Sequence, residues 1–486
     1  MGIQYTTPMW DVTGEYRGKW WPAGLPEHTF SGVLRLDDRR PRLTLAQGSS
    51  GQSVSNLAHA QTIHGKLESG ENVTLWDVQD HAFEHLRGDD EAASYRQRYT
   101  YAILGEHLPS HGDARFRFSA YRLHGLSHWS AMEAKPITRG LTAAALPHYE
   151  PASLPNFHRD ESGVEYSAKV RFENLRRIEE DPELEGAQFI ADHTGDQVRV
   201  IFECTPPAPP RVHDHLLHDL QALLTFSYQG GAPIEAQWLA LQKMESAFPV
   251  MQRDSFNGDR PFGREFSMNM VLTTELMEPA ELFPAWWKVM EDLYPAVEVI
   301  YLYHHGSRGL LESSVAAAIA VAEHLHGMIG PTKTRFPTGF LANKKLAVKH
   351  AGKFAKQDGS ETTLQEFVAE PAFREFLYEA FNNDRPALRT RLEELADAVT
   401  SKRLALLNID GEQWIGSVLR VRNPIAHTSS HVKRRGDDSS NLLRQVNTAT
   451  RAIVSILILK RMGMSEDVLD KCARVLGRAL GKFLQE

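Results

Sequence analysis

Apolar and polar residues alternate in several segments of the first two hundred residues. The clearest are Phe116–Ala120, Tyr166–Phe172 and Val198–Phe202, where every second residue is apolar. Alternation with period two is typical of antiparallel strands that bury one face and expose the other. Because no helical segments separate these strands, we predict a β-sandwich or β-barrel.

The segment Thr205–Pro210 reads Thr-Pro-Pro-Ala-Pro-Pro. Proline lacks a backbone N–H, so we predict a rigid connector outside regular structure. A helix is predicted directly after it, at Val212–Phe226. Residues 283–304 fit a helix and a strand equally well.

From about residue 308 the apolar residues follow a helical period instead. The apolar stripes occur within Val315–Ile329, Leu388–Val399, Trp414–Leu419, Leu442–Ile456 and Val468–Leu480. They predict a helical bundle. The predicted fold class is therefore α+β with two domains. A β-rich N-terminal domain covers residues 1–305, with its connector near 205–210, and an all-α domain covers residues 306–486.

Charge divides the chain in the same place. Residues 308–486 hold 27 Lys and Arg against 20 Asp and Glu, a net charge of +7. Because the net charge of the whole chain is −8, residues 1–307 carry −15. A basic half beside an acidic half points to a polyanion such as RNA as the partner of the basic half.

Other features of the sequence exclude whole classes of protein. No apolar run reaches the ~18 residues that span a bilayer, and the first residues lack the pattern of a secretory signal. The two cysteines, Cys204 and Cys472, are too few for a disulfide framework or a cysteine zinc site. Phosphate-binding glycine motifs are missing as well. We expect a cytoplasmic protein without membrane contact, cofactor or metal.

A candidate site lies at Arg422–His427, which reads Arg-Asn-Pro-Ile-Ala-His. Because Pro424 disfavours helical geometry in the residue before it, we predict that a helix ends near Arg422. The imidazole of His427 can take a proton from an RNA 2′-OH, and a guanidinium can hold the attacked phosphate. Asn423 could orient the imidazole or contact the phosphate. Two imidazoles would serve better than one, which favours a homodimer.

Two basic groups in the same half could follow an RNA backbone. One is the stripe of lysines at Lys345, Lys349, Lys353 and Lys356, and the other is the run Lys433, Arg434 and Arg435. A solvated surface is an alternative explanation for both groups.

Three other groups of residues have functional alternatives. His81, Glu84 and His85 match the H-x-x-E-H pattern of zinc proteases, with a short surface turn as the alternative. The segment His213–Asp219 is rich in His and Asp, and we interpret it as the polar face of a helix rather than a metal site. The third group is Trp20, Trp21 and Trp76, which could form a ligand platform but which we expect in the core.

These residues lead to a family resemblance. Residues 306–486 resemble a HEPN domain, a helical nuclease marked by Arg, a polar residue and a His four to six positions after the Arg, matched here by Arg422, Asn423 and His427. The helix at 313–329 resembles the family's early helix, whose acidic position falls on Glu323. The segments YRGKWWPAG, FSGVLRLDD and TIHGKLESGENVTLWDV resemble the N-terminal domain of ApeA-type abortive phage-defence proteins, which also carry a C-terminal HEPN domain.

The resemblance implies an endoribonuclease toxin of abortive infection. It would cleave host RNA, with tRNA among the candidates, by metal-independent attack of the 2′-OH, after its N-terminal domain senses a phage-derived trigger. The resemblance further implies Arg422, Asn423 and His427 as catalytic residues, Glu323 as a supporting residue, and a homodimer or larger even assembly. Two alternatives stay open: a non-catalytic HEPN module that binds RNA or protein, and the zinc protease.

Overall fold

A computed structural model of the chain separates into two compact units. The first comprises Met1–Gly306 with Met462–Met464, and the second comprises Ser307–Arg461 with Ser465–Glu486. The structure describes residues 14–36, 41–46, 60–85, 93–131, 149–174, 198–252, 270–294, 297, 311–329, 387–426 and 437–483. The first unit is rich in strands and the second is helical, which confirms the fold class predicted from the change in period.

The described part of the first unit contains twelve strands, each antiparallel to its neighbours. They are β1 (Gly14–Pro22), β2 (Phe30–Leu36), β3 (Arg42–Ala46), β4 (Thr62–Leu67), β5 (Asn72–His85), β6 (Ala93–Leu104), β7 (Phe116–Leu123), β8 (Ala152–Arg159), β9 (Glu165–Asn174), β10 (Val198–Ala208), β11 (Ile234–Ala240) and β12 (Phe248–Gln252). Strands β3-β2-β1-β4-β5-β6 close into a barrel, because β3 also pairs with β6. From β6 the sheet continues through β12, β11, β7, β10 and β9 to β8.

Apolar side chains fill one core along the barrel strands. The core residues include Trp20, Leu34, Leu43, Ile63 and Tyr99. Gly65 is required at its position, since a β-carbon there would lie 2.2 Å from the Trp20 ring. A larger residue would therefore have to displace the tryptophan.

The proline segment after residue 204 is more ordered than predicted. Strand β10 continues to Ala208, and its pairing with β7 is irregular between Glu203 and Ala208. The two prolines within this stretch are exposed, so the missing N–H groups fall where the ladder is already interrupted. The expectation that residues 205–210 lie outside regular structure is therefore wrong.

Three α-helices with defined bounds are described in the first unit, besides a 3-10 turn at Met244–Ser246. They are α1 (Leu126–Trp129), α2 (Pro210–Tyr228) and α3 (Pro279–Asp292). Helix α2 confirms the prediction at Val212–Phe226, and it begins at Pro210, where the missing N–H costs nothing. Helix α3 occupies the first part of the ambiguous stretch 283–304.

The described part of the second unit contains six helices. They are α4 (Leu311–Ile329), α5 (Leu388–Val399), α6 (Ser401–Leu406), α7 (Gly411–Ala426), α8 (Asp437–Arg461) and α9 (Glu466–Phe483). The predicted apolar stripes are buried, as Val315, Leu392, Trp414, Ile453 and Leu469 illustrate. The helical bundle is thus built from the residues that the period indicated.

Helix α8 lies at the centre of this bundle. It packs against α4, α7 and α9. Its segment Ser440–Arg461 is, among the described residues, the helix whose length and composition would allow it to cross a bilayer. Most of that segment is buried inside the protein, as in the core helix of a bundle.

Helix α7 runs past the proline that was expected to stop it. The helix ends at Ala426, two residues after Pro424, instead of near Arg422. A proline removes one backbone hydrogen bond of a helix, but the residues after it can still donate to carbonyls four positions earlier. The backbone of Asn423 is therefore helical.

Candidate functional site

Arg422 lies near the C-terminal end of α7 and reaches α4. Its Nε is 3.4 Å from Oε1 of Glu323. The Arg422 side chain remains 41% exposed. The contact with Glu323 is made through Nε, and a guanidinium has two further nitrogens that can donate hydrogen bonds to an anionic ligand.

Glu323 also binds a second guanidinium. Its other oxygen, Oε2, accepts a hydrogen bond from Nη1 of Arg391 on α5, at 2.7 Å. Glu323 is 20% exposed and Arg391 is 11% exposed. One carboxylate therefore joins three helices, with an inner arginine on one oxygen and an outer arginine on the other.

A second polar contact joins α4 and α5, one helical turn beyond the contact between Glu323 and Arg391. His326 Nε2 lies 2.5 Å from Oε2 of Glu394, and both side chains are buried. His326 follows Glu323 by three residues on α4, and Glu394 follows Arg391 by three residues on α5. Residues three apart share a helix face, so these four side chains form two adjacent contacts between α4 and α5.

The apolar stripes explain why these polar groups meet. On α4, Glu323 and His326 flank the fully buried Ala322 and Leu325. On α5, Arg391 and Glu394 flank Leu392 in the same way. Burying each stripe brings the flanking side chains to the edge of the contact between α4 and α5. There they can pair only with one another or with water.

The two arginines are held with different strength. Exposed ion pairs contribute about 0–1 kcal/mol, so Arg422 can leave Glu323 at little cost. Removing one partner of a buried pair costs about 3–5 kcal/mol, because the other charge stays behind without compensation. Arg391 and Glu323 lie closer to the buried case. Arg391 therefore fixes the position of Glu323. Glu323 in turn orients Arg422, which can still exchange this contact for another ligand.

The structure brings together two of the residues singled out in the sequence, Arg422 and Glu323. Asn423 lies in α7, and only its backbone is described. The other candidates lie outside the described residues: His427, Lys345, Lys349, Lys353, Lys356, Lys433, Arg434 and Arg435. Their roles remain predictions.

Three residues of this cluster were not foreseen from the sequence: Arg391, His326 and Glu394. A signal was present, since α4 carries Glu-x-x-His and α5 carries Arg-x-x-Glu beside their apolar stripes. Each spacing places two ionisable groups on one helix face. Which helix they would meet depends on the packing of the bundle, which the spacing does not specify.

The zinc-protease alternative does not fit the structure. His81, Glu84 and His85 all lie on strand β5. Four residues along a strand span about 13 Å, against about 6 Å along a helix. The two histidines thus lack the one-turn separation that the H-x-x-E-H pattern needs, so the zinc-protease alternative does not fit. The expectation of a short surface turn is wrong as well, since the segment belongs to strand β5.

The histidine-rich start of α2 is partly buried against the sheet instead of forming a simple polar face. His213 has its Nδ1 2.9 Å from Ser119 Oγ and its Nε2 3.1 Å from the carbonyl oxygen of Phe116. Burial lowers the pKa of His213 to about 4. Within the described ranges, no group of three or more His, Cys, Asp or Glu residues is arranged to hold a metal ion.

The tryptophans belong mainly to the core. Trp20 and Trp76 are fully buried, as expected. Trp21 is partly exposed, and its ring meets the edge of the His107 ring at 5.2 Å. The three indoles therefore do not form one exposed platform.

Comparison with known families identifies two domains in the chain. Residues 15–250 match the model described as ApeA N-terminal domain 1. Residues 333–468 match the model described as Apea-like HEPN, and this range includes Arg391, Glu394 and Arg422. No curated protein and no solved structure matches the chain.

Proposed function

The chain belongs to the ApeA family, with an ApeA N-terminal domain 1 followed by an ApeA-like HEPN domain, and we propose that it is an antiphage effector that cleaves RNA. The match accounts for the charge split, since the basic half contains the HEPN domain. A polyanionic substrate and a basic domain are electrostatically complementary. The proposed substrate is host RNA, with tRNA among the candidates.

One observation carries this proposal beyond family membership: Arg422 is paired with Glu323 and still exposed. A guanidinium bound on its Nε edge keeps its Nη groups for two phosphate oxygens. It can then offset the charge that grows on those oxygens in the transition state.

In the proposed reaction, neutral His427 removes the proton of a ribose 2′-OH, and the 2′-oxygen forms a bond to the adjacent phosphorus. The bond from phosphorus to the 5′-oxygen of the next nucleotide breaks. The protonated imidazole of His427 of the partner subunit gives a proton to that oxygen. The products are a 2′,3′-cyclic phosphate and a 5′-OH, and no metal ion takes part. Asn423 orients the imidazole or contacts the phosphate.

In this proposal the N-terminal domain keeps the nuclease silent until it detects a phage-derived trigger. The chain would then stop phage production by damaging the RNA of its own cell. Lys433, Arg434 and Arg435, together with Lys345 and Lys349, would follow the RNA backbone.

The test is phage challenge of bacteria that produce the wild-type chain, His427→Ala or Arg422→Ala, with small RNAs examined during infection. The proposal predicts fewer plaques and new RNA fragments with the wild type alone. If all three chains protect equally, the nuclease function is wrong and a binding module explains the protection. If none protects and no fragments form, the chain is not an antiphage effector under these conditions.

A further inference from the structure

Arg391 contacts one carboxylate oxygen of Glu323 and Arg422 contacts the other. We propose that Arg391 is a positioning residue of the ribonuclease, which fixes and neutralises Glu323 so that Glu323 orients Arg422 without competing with the RNA phosphate. This inference rests on the proposed function, and it assigns a role to a residue outside the Arg422–His427 motif.

Geometry distinguishes the two guanidiniums. Arg391 makes the shorter contact, 2.7 Å, and is 11% exposed. Arg422 makes the longer contact, 3.4 Å, and is 41% exposed. Arg391 is therefore too enclosed to take a phosphate group itself, whereas Arg422 is open to solvent. The inner arginine acts through the carboxylate.

The positive charge of Arg391 also affects how Arg422 binds a phosphate. A carboxylate facing Arg422 alone would neutralise that guanidinium and repel an approaching phosphate. With Arg391 on its other oxygen, Glu323 is already paired. Arg422 can then turn toward the phosphate, while the negative charge of Glu323 stays paired with Arg391. Arg391 thus lowers the cost of exchanging the Glu323 contact for a substrate contact.

The neighbouring contact between His326 and Glu394 keeps α4 and α5 aligned with each other. His326 and Glu394 pair at 2.5 Å on the same faces of α4 and α5. Both side chains are buried, so sliding or rotating one helix against the other would leave polar groups unpaired. Glu323 and Arg391 are thereby kept opposite each other.

The test uses the full-length chain, purified from phage-infected cells so that the proposed restraint by the N-terminal domain is relieved, with two changes at one position. Arg391→Met removes charge and hydrogen bonds, while Arg391→Lys keeps the charge but loses the planar fork. The matched control is Arg389→Met on the same helix, because Arg389 is about half exposed and pairs with surface glutamates. Thermal unfolding of each variant shows whether it is folded.

The values of kcat and KM in these variants distinguish the orienting role of Arg391 from the effect of its charge. Arg391→Met should lower kcat on the order of 100-fold, as expected for misplacement of a catalytic group by about 1 Å, and should raise KM. Arg391→Lys should keep KM near the wild-type value and lower kcat. Adding Glu323→Gln to Arg391→Met should return KM toward wild type, since no uncompensated carboxylate remains. Because Arg391 and Glu323 are in contact, their effects on stability should couple in any case. A merely structural role would leave KM unchanged in the folded variants.

Binding supplies a readout independent of turnover. A fluorescein-labelled 2′-O-methyl RNA oligonucleotide cannot be cleaved, and its affinity reports RNA binding without turnover. Arg391→Met should bind it several-fold more weakly than the wild type, and Arg389→Met should not. Equal affinities and equal kcat in folded Arg391 variants would overturn the role of Arg391. A wild type that never cleaves RNA would instead refute the proposed function, and the binding result would still decide on Arg391.

Discussion

Arg422 on α7 and Glu323 on α4 form an ion pair, with Nε and Oε1 3.4 Å apart. The pair links the HEPN motif to a helix that the family model does not cover, since the match begins at residue 333. The Arg422 side chain remains 41% exposed in this pair. A motif arginine that is tethered yet accessible is what a phosphate-binding role requires.

Replacing Glu323 tests whether the tether matters for catalysis. Glu323→Ala should lower kcat for RNA cleavage by about 10- to 100-fold, because Arg422 loses its orientation. Steady-state kinetics against Glu312→Ala, an exposed position at the start of the same helix, is the measurement. A folded Glu323→Ala chain with wild-type kcat would remove Glu323 from the mechanism.

The sequence was most informative where one side of an element is buried. The stripe on α4 and the alternation in β9 both correctly predicted buried residues, because burial imposes a period on the sequence. In β7 the alternation was only partly right, since Ser119 is buried and Phe118 is partly exposed. The pairing of Arg391 with Glu323 could not be read in this way, since it depends on which helices become neighbours. The two proline predictions, at residues 205–210 and at Pro424, failed because a single missing N–H can be tolerated at an irregular ladder or near a helix end.

The last helix offers a test of the bundle that is independent of function. Leu476 is 4% exposed on α9. Leu476→Asp should destabilise the second unit by more than about 4 kcal/mol, since it buries a charge without a partner. Urea unfolding beside Arg474→Asp, which introduces the same side chain at an exposed position, measures the difference. Equal stability of the two variants would show that the assigned core face of α9 is wrong.

Gly65 provides the corresponding test in the barrel. Because a β-carbon at this position would lie 2.2 Å from the Trp20 ring, Gly65→Ala should lower the free energy of unfolding by about 1–3 kcal/mol. Gly112→Ala is the matched control, as its β-carbon would meet no atom within 4 Å. Tryptophan fluorescence during denaturation reports both. A Gly65→Ala chain as stable as the control would contradict the close packing of Trp20.

Stability of the first unit should fall with acidification below pH 6.5. Unfolded His213 takes up a proton near its ordinary pKa of 6.5, whereas burial holds the folded pKa at about 4. Between these values the unfolded state binds more protons, so stability is complete above pH 6.5 and declines toward pH 4, by about 3 kcal/mol. His158 and His215, whose stacked rings also have lowered pKa values, add to the same trend.

His213→Gln isolates the contribution of the buried imidazole. The variant should show a shallower loss of stability between pH 6.5 and pH 4 in urea titrations at each pH. The remaining slope belongs to the other histidines. An unchanged slope would mean that His213 is protonated in the folded chain.

The central claim is metal-independent RNA cleavage at the Arg422–His427 motif. The most direct measurement is RNA cleavage in EDTA by the full-length chain purified from phage-infected cells, where it has met its trigger, with wild type beside His427→Ala and chemical analysis of the fragment ends. Fragments are expected with the wild type alone, each cut leaving a 2′,3′-cyclic phosphate and a 5′-OH. Equal cleavage by His427→Ala, or cleavage that stops in EDTA and returns with Mg²⁺, would contradict it.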